Sequence, residues 1–467
     1  MCSDFTGGMK DSRPDADVRP TQTRLDRWLS FVDAYPLYIL GVITVLVVLI
    51  SLVLNKSNLP PAANAGENDT WWAIAVNLAH GDGYSLCLQR YFPFCGPSNQ
   101  ATATREPLPV LLFAGLALLS GESLWVAVAA EFLIYLSILV LIYFLTREWS
   151  NPRAALLAAS LWGLYIPAHE LISQVSGDLL AAFLVGLGIL YVMRARTSRH
   201  PRDWLLAGTC LGLATVSRSG MLVVAGLVIA GVVLESWSRR LRLQEIATPA
   251  LMLSGLLILF VAPWLIRNQL VLGRPVVGSS LIGYNLYRHN YMIDTKNYFR
   301  HVGGQEGLAA TKALLNRRTD LIGVENEAQM DLIYQAAAIH LIRTYPARYL
   351  LLSAYRFLPL WFNWGYPEAY GKEPTRMDYV IMVYQGILLL LALFGLYRTA
   401  GRTWPLWGSI LAVSLMYMAV DARLLYLTPV MPLVISLSAG GGIQLLGKLV
   451  HPKLSHGTQP LQGIQGF

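Results

Sequence analysis

Apolar runs long enough to cross a lipid bilayer recur along this chain, and they leave it almost no alternative to a membrane fold. Residues 37–54 and 379–397 each reach the length of about 18–20 residues that covers a hydrocarbon core of about 30 Å. Several such runs mark a bundle and not a single anchor. A soluble chain of 467 residues would divide into two or three domains, but 55% hydrophobic and only 14% charged residues exclude that. The expected fold class is therefore an all-α integral membrane protein, a polytopic bundle of about ten transmembrane helices with juxtamembrane helices in the first outer loop and a large, mainly helical outer loop.

The candidate spans are residues 36–54, 123–146, 154–172, 179–193, 204–216, 221–235, 248–266, 379–397, 404–420 and 424–446. Residues 108–119 would add another, but charge argues against it. With the N-terminus inside, behind Arg19, Arg24 and Arg27, the inside loops hold Arg147 and Arg153; Arg194, Arg196, Arg199 and Arg202; Arg239, Arg240 and Arg242; and Arg398 and Arg402, with Lys448 and Lys453 in the tail. The short outside connections carry only Arg218 and Arg423. Counting 108–119 as a span would turn the following arginine-rich loops outward, against the positive-inside bias. The run is also too short to span and reads as a re-entrant or interfacial helix. Residues 349–364, broken by Arg356 and Pro359, are set aside likewise.

The expected organisation is a tail, 1–35; a core, 36–266, with a first outer loop at 55–120; a second outer region, 267–378, with a helix at 325–343 ending before Pro346; helices in 379–447; and a tail, 448–467. The first 30 residues are polar and offer no cleavable signal pattern. The net charge of +8 follows from inside loops against an anionic lipid surface and does not imply nucleic acid. Cys87 and Cys95 share the first outer loop and are read either as a local disulfide or as two free thiols.

Ionisable residues gather on the outer side. The first loop reads GENDTWWAIAVNLAHGDGY, in which Glu67 and Asp69 open an amphipathic helix with Trp71, Trp72, Ala75 and Leu78 on its apolar face. First-turn acids ordinarily do no more than complement a helix dipole. The second outer connection, IPAHELISQVSGDLL, places Asp178 at the edge of a span near His169 and Glu170. An ionisable group at membrane depth is a functional candidate, although Ser176 or Asp178 could simply cap the helix and His169 could be a hydrogen-bonded edge residue. Arg105, Arg218 and Arg267 each mark the outer end of an apolar segment, where a guanidinium either snorkels or grips a phosphate bidentately. Neither HExxH nor CxxC occurs, so no zinc site is announced. Carboxylates facing arginines at a membrane boundary suit transfer from a lipid phosphate. A carboxylate would deprotonate an acceptor hydroxyl, and arginine, or a divalent metal ion held by the acids, would stabilise the departing phosphate.

In order and spacing these motifs resemble the GT-C superfamily of polyprenyl-phosphate-sugar glycosyltransferases, in particular the bacterial galacturonosyltransferase-like branch related to protein O-mannosyltransferases and the lipid A aminoarabinose transferase. The resemblance rests on Glu67, Trp71, Ala75, Asn77, Leu78, Gly81, Gly83 and Tyr84; on Arg105, Pro107 and Pro109 at a shifted spacing; on Asp178; on Arg218; and on PWLIRNQLVLGRPV followed by GYNLY. It implies catalytic roles for Glu67, Asp69 and Asp178, donor-phosphate contacts from Arg105, Arg218 and Arg267, and substrate contacts from His80, Tyr84, His169, Asn285, Tyr287 and His289. The family's first-loop acid is usually Asp, whereas this register places Glu67 there and Asp69 two residues later. Arg288, His289 and Asn290 stand where the family often has Gly-Asn. An inverting transfer is implied, from a polyprenyl-phosphate-linked sugar to a lipid, glycan or protein acceptor, among membrane lipids, on the extracytoplasmic face of a bacterial inner membrane. The competing reading is a transporter or flippase of a lipid-linked substrate, which should show repeated halves, and none stands out. A scaffold subunit is a third, and it would tolerate change in the acidic loops.

Overall fold

The computed structural model describes residues 30–54, 70–87, 92, 100–296, 298, 304–318, 326–369 and 371–450. All ten candidate spans are helical. The bundle comprises α1 (Pro36–Leu54), then, after α2 (Thr70–His80) and α3 (Pro107–Ser120), α4 (Leu124–Trp149), α5 (Pro152–Gly163) with α6 (Ile166–Ile172), α7 (Asp178–Ser198), α8 (Pro201–Ser217), α9 (Leu222–Ser238) and α10 (Leu243–Leu272). Past the outer region come α17 (Arg376–Thr399), α18 (Trp404–Val420) and, behind a 3-10 segment Leu424–Val430, α19 (Met431–Val450). Among the described residues, seven helices are long and apolar enough to cross a membrane, and eight if α5 and α6 form one bent span. The remaining two, α8 and α18, have 17 residues each, about 25 Å, a little short of the hydrocarbon thickness. Among the described residues there is no β-sheet, only an isolated bridge between Ser85 and Ala101.

Local chemistry sets the helix boundaries. Asn151 accepts the Ala154 N–H ahead of Pro152, and Thr375 and Asp378 form a capping box at the start of α17. The 57° bend between α5 and α6 falls just before Pro167, whose ring and missing N–H break the hydrogen-bond ladder. Small residues let backbones approach. At Gly395 and Gly441, where α17 crosses α19, a Cβ would lie 2.6 Å from the Leu437 carbonyl oxygen and 2.0 Å from that of Leu391, respectively. On α1, by contrast, Leu37, Val45, Leu49 and Val53 are exposed, as lipid-facing residues are.

Segment 107–120 is a 14-residue helix, about 21 Å long, consistent with its exclusion as a span. It packs on α2 through Trp71, Ile74, Val110 and Phe113. The outer region is helical, with α11 (Ile282–Arg288), α12 (Gln305–Asn316), α13 (Glu327–Thr344), α14 (Pro346–Tyr355), α15 (Phe357–Phe362) and α16 (Tyr366–Ala369). The set-aside run 349–364 divides at Arg356, between α14 and α15. Cys87 is disulfide-bonded, Cys95 lies outside the described residues, and Cys210 is buried and free.

Candidate active site

Asp178 is the first residue of α7, and its buried carboxylate faces Arg218, the residue that ends α8. Arg218 Nε lies 2.9 Å from Asp178 Oδ1, an ionic contact whose N–H does not line up as a hydrogen bond. Burial opposes the charge on Arg218. Asp178, then Tyr417, Glu106 and Tyr426, outweigh that penalty and hold the guanidinium protonated above its ordinary range. The Arg218 guanidinium also lies over the Tyr426 ring at 5.5 Å.

Three contacts draw the neighbouring loops to this pair. Ser176 accepts the Asp178 N–H on its hydroxyl at 3.3 Å, and its own backbone N–H donates to Glu131 Oε1 at 3.0 Å. Ser176 thus serves the helix start while the Asp178 side chain is left for Arg218. Glu106 Oε1, just before α3, accepts both the backbone N–H and the hydroxyl of Ser219 at 2.9 and 2.8 Å. Gly177 sits where a Cβ would lie 2.6 Å from the Ser217 carbonyl oxygen, 2.8 Å from Pro109 and 3.2 Å from Trp71, so four segments meet at one glycine.

Arg105 lies beside this group. Its Nε donates to the Thr70 hydroxyl at 2.6 Å, and its guanidinium lies over Trp71 at 5.6 Å. Thr70 follows Asp69 directly; Glu67 and Asp69 themselves lie outside the described residues. Among the described residues Asp178, Arg218 and Glu106 therefore form one charged cluster, and Arg105 stands beside it through Trp71, which closes on Gly177.

The other candidates are placed differently. Arg267 donates to the carbonyls of Thr102 at 2.7 Å and Tyr84 at 3.0 Å and lies against the Tyr84 and Trp264 rings, so its charge is spent fastening the loop. The Tyr84 hydroxyl donates to the Arg105 and Glu106 carbonyls, a supporting role beneath the cluster. His80 pairs with Glu122 at the exposed far end of α2, about 15 Å along the helix from Thr70. His169 is buried in the bundle, where Nε2 reaches the Gly163 carbonyl at 2.9 Å and Nδ1 the Ser51 hydroxyl at 3.2 Å. Asn285 and Tyr287 lie on α11, which packs on α13, and the Tyr287 ring meets Tyr334 at 6.2 Å. His289 is buried with Nε2 3.2 Å from Asp421 Oδ2, and Arg356 donates to its carbonyl and to Asn290 Oδ1. Burial lowers the His289 pKa despite the opposing pull of Asp421.

Glu106 and Glu131 are not among the sequence candidates. An acid between Arg105 and Pro107, at the entrance to an apolar run, was the available signal for Glu106. Nothing local announces Tyr417 and Tyr426, which sit inside apolar stretches. Among the described residues no three His, Cys, Asp or Glu side chains converge as metal ligands, and Asp178 and Glu106 are each engaged elsewhere.

Residues 104–266, about a third of the chain, match the family described as dolichyl-phosphate-mannose-protein mannosyltransferase. No curated protein matches the sequence. Solved structures of similar fold include the Archaeoglobus fulgidus oligosaccharyltransferase tethered with an acceptor peptide, at 16% identity and a TM-score of 0.53, covering 91% of this chain and 51% of that one. The apo form of that protein matches at 17% identity and a TM-score of 0.52, covering 92% and 53%. Its complex with Zn and sulfate matches at 16% and 0.50, covering 88% and 50%. This chain thus spans about half the length of the structures it resembles.

Proposed function

We propose that this chain, a GT-C superfamily protein by fold and by the family match within it, is a membrane glycosyltransferase that moves a sugar from a polyprenyl-phosphate donor to a hydroxyl-bearing lipid, glycan or protein acceptor. The observation that carries the reading is the buried Asp178–Arg218 pair, with Arg105 nearby on Thr70, the residue that directly follows Asp69 of the first loop. The matched family is named for a lipid-phosphate sugar, and one neighbour was solved with an acceptor peptide. Both agree with a lipid-linked donor and an acceptor meeting at such a site.

In this reading Arg218, oriented by Asp178, receives the donor phosphate, and Arg105 supports it from the first-loop side. The acceptor oxygen bonds to the anomeric carbon with inversion as the bond from that carbon to the phosphate oxygen breaks. The electron pair leaves on the lipid phosphate, which needs no protonation. The hydroxyl proton passes to a carboxylate: Glu67 or Asp69 from the loop before Thr70, with Asp178 as the alternative base. The described residues do not by themselves make a metal site, and no step is assigned to an ion. An extracytoplasmic site is supported by the positive-inside bias, since the arginine-rich connections at residues 194–202 and 239–242 lie at the opposite helix ends; a bacterial inner membrane is the setting proposed with it.

Transfer by the purified protein from a panel of polyprenyl-phosphate sugars tests the reaction, alongside Glu67→Gln, Asp69→Asn, Asp178→Asn and Arg218→Gln. Loss in Arg218→Gln and in at least one acid variant is expected. Full transfer by all four variants would sink the site. Impermeant thiol labelling of Glu122→Cys but not Arg199→Cys from outside intact cells tests the orientation.

A further inference from the structure

The helix that begins at Asp178 ends at Ser198, 21 residues and about 31 Å away, close to one hydrocarbon thickness. A second charged assembly lies at that far end. A cavity of about 290 Å³ opens between the last turn of α7, the start of α8, the end of α9 and the start of α10. Trp204, Val232, Leu241 and Pro249 form its apolar wall, and arginines ring it.

The charges there do not balance. Both oxygens of Glu235 are held by Arg196, with Nε and Nη2 at 2.8 Å each, and Arg239 Nη2 comes to Oε1 of the same carboxylate at 2.6 Å. Glu245 is held by Arg242 at 3.1 Å and also feels the charge of Arg199. Arg196, Arg199, Arg239 and Arg242 thus face Glu235 and Glu245, with Asp203 held by Ser198 nearby, so positive charge exceeds negative beside a low-dielectric wall. Arg196 is a structural bolt, since it also donates to the Gly401 and Arg402 carbonyls. Arg199 and Arg239 are exposed and keep guanidinium donors for a ligand. Flanking the cavity, Trp237 and Leu243 are 72% and 80% exposed, large apolar groups at what would be headgroup depth.

We infer that this cavity binds the phosphate headgroup of an anionic membrane phospholipid, with the phosphate on Arg199 and Arg239 and an acyl chain along the Trp204–Val232 wall. The excess positive charge selects an anion, the arginines favour phosphate oxygens, and the exposed Trp237 and Leu243 favour a lipid over a soluble ion. This site is separate from the Asp178–Arg218 cluster and does not depend on the reaction assigned there.

The test uses the full-length protein in nanodiscs of phosphatidylcholine with increasing phosphatidylglycerol. Thermal unfolding and native mass spectrometry of retained lipid are the two readouts. Phosphatidylglycerol is expected to raise the unfolding midpoint and to be retained, with apparent affinity about tenfold weaker in Arg199→Gln/Arg239→Gln. Arg199→Gln alone, which leaves the Glu235 bolt in place, is expected to show part of the same loss. Equal stabilisation and retention with phosphatidylcholine alone would overturn the inference. So would unchanged phosphatidylglycerol retention in both variants. The same rise with inorganic phosphate in phosphatidylcholine discs would assign the cavity to a free anion and overturn the lipid assignment.

Discussion

Glu106 accepts two hydrogen bonds from Ser219, one from its backbone N–H and one from its hydroxyl, across 113 residues of sequence. This contact ties the start of α3 to the turn that carries Arg218. Removing the carboxylate leaves two donors of Ser219 unserved in a partly buried place, a penalty of about 1–3 kcal/mol. Glu106→Ala is therefore expected to lower the unfolding midpoint in detergent and to reduce transfer. Glu106→Gln keeps an acceptor oxygen and should retain most of the stability. Equal midpoints for wild type and the Ala variant would show that the tie is idle.

Gly177 permits no side chain. A Cβ there would meet the Ser217 carbonyl and the Pro109 ring inside contact distance, and neither can swing aside as a flexible side chain could. Gly177→Ala is expected to push Asp178 away from Arg218, lowering kcat/KM by an order of magnitude or more. A variant with wild-type kinetics would mean that the crowded spot relaxes without moving the pair.

Arg267 and Arg218 should separate in kinetics. Arg267 fastens the Tyr84 and Thr102 carbonyls, so Arg267→Ala is expected to cost stability while the KM for donor in the surviving folded protein stays near wild type. Arg218→Lys keeps one charge but not the planar fork, and is expected to raise the donor KM with little change in unfolding midpoint. Measured side by side, the reverse pattern would exchange the two roles.

Stability should fall with pH through Asp331. Burial raises its carboxyl from 3.8 to about 7, against backbone N–H bonds from Gly283 and Tyr284 that pull the other way. Between those two values the folded chain keeps a proton that the unfolded chain has released. Each rise in pH therefore favours unfolding, until the folded carboxyl has also ionised. The expected result is a midpoint contribution that declines from about pH 4 to about pH 7 and then levels off. Asp331→Asn should flatten that slope in thermal unfolding recorded across the same range.

Much of the architecture was legible because lipid imposes a simple rule on sequence. Residues 36–54 and 404–420 coincide with helices of the same bounds, and the arginine-rich loops separated 108–119 from the spans. The candidate site was legible only in part. Asp178 and Arg218 declared themselves as charges at the ends of apolar segments, where charge is costly and rare. Arg267 declared itself equally, because a guanidinium at a span end looks the same in sequence whether it meets a phosphate or two carbonyls. Glu106 was hidden because its partner is 113 residues distant, and no local pattern encodes such a pairing. His169 showed the opposite ambiguity, since an ionisable residue at membrane depth can be wholly occupied by internal hydrogen bonds.

Those internal bonds bear on how the chain enters a bilayer. The break between α5 and α6 frees the Gly163 carbonyl, and the His169 ring takes it up while Ser51 of α1 engages the other ring nitrogen. Tyr135 of α4 reaches the same imidazole at 3.0 Å. A bent segment whose open peptide group and imidazole are satisfied partly by two earlier helices is poorly suited to partition into lipid alone. Its transfer into lipid is therefore expected to be more favourable with α1 and α4 at hand than alone, which would couple the three segments during insertion.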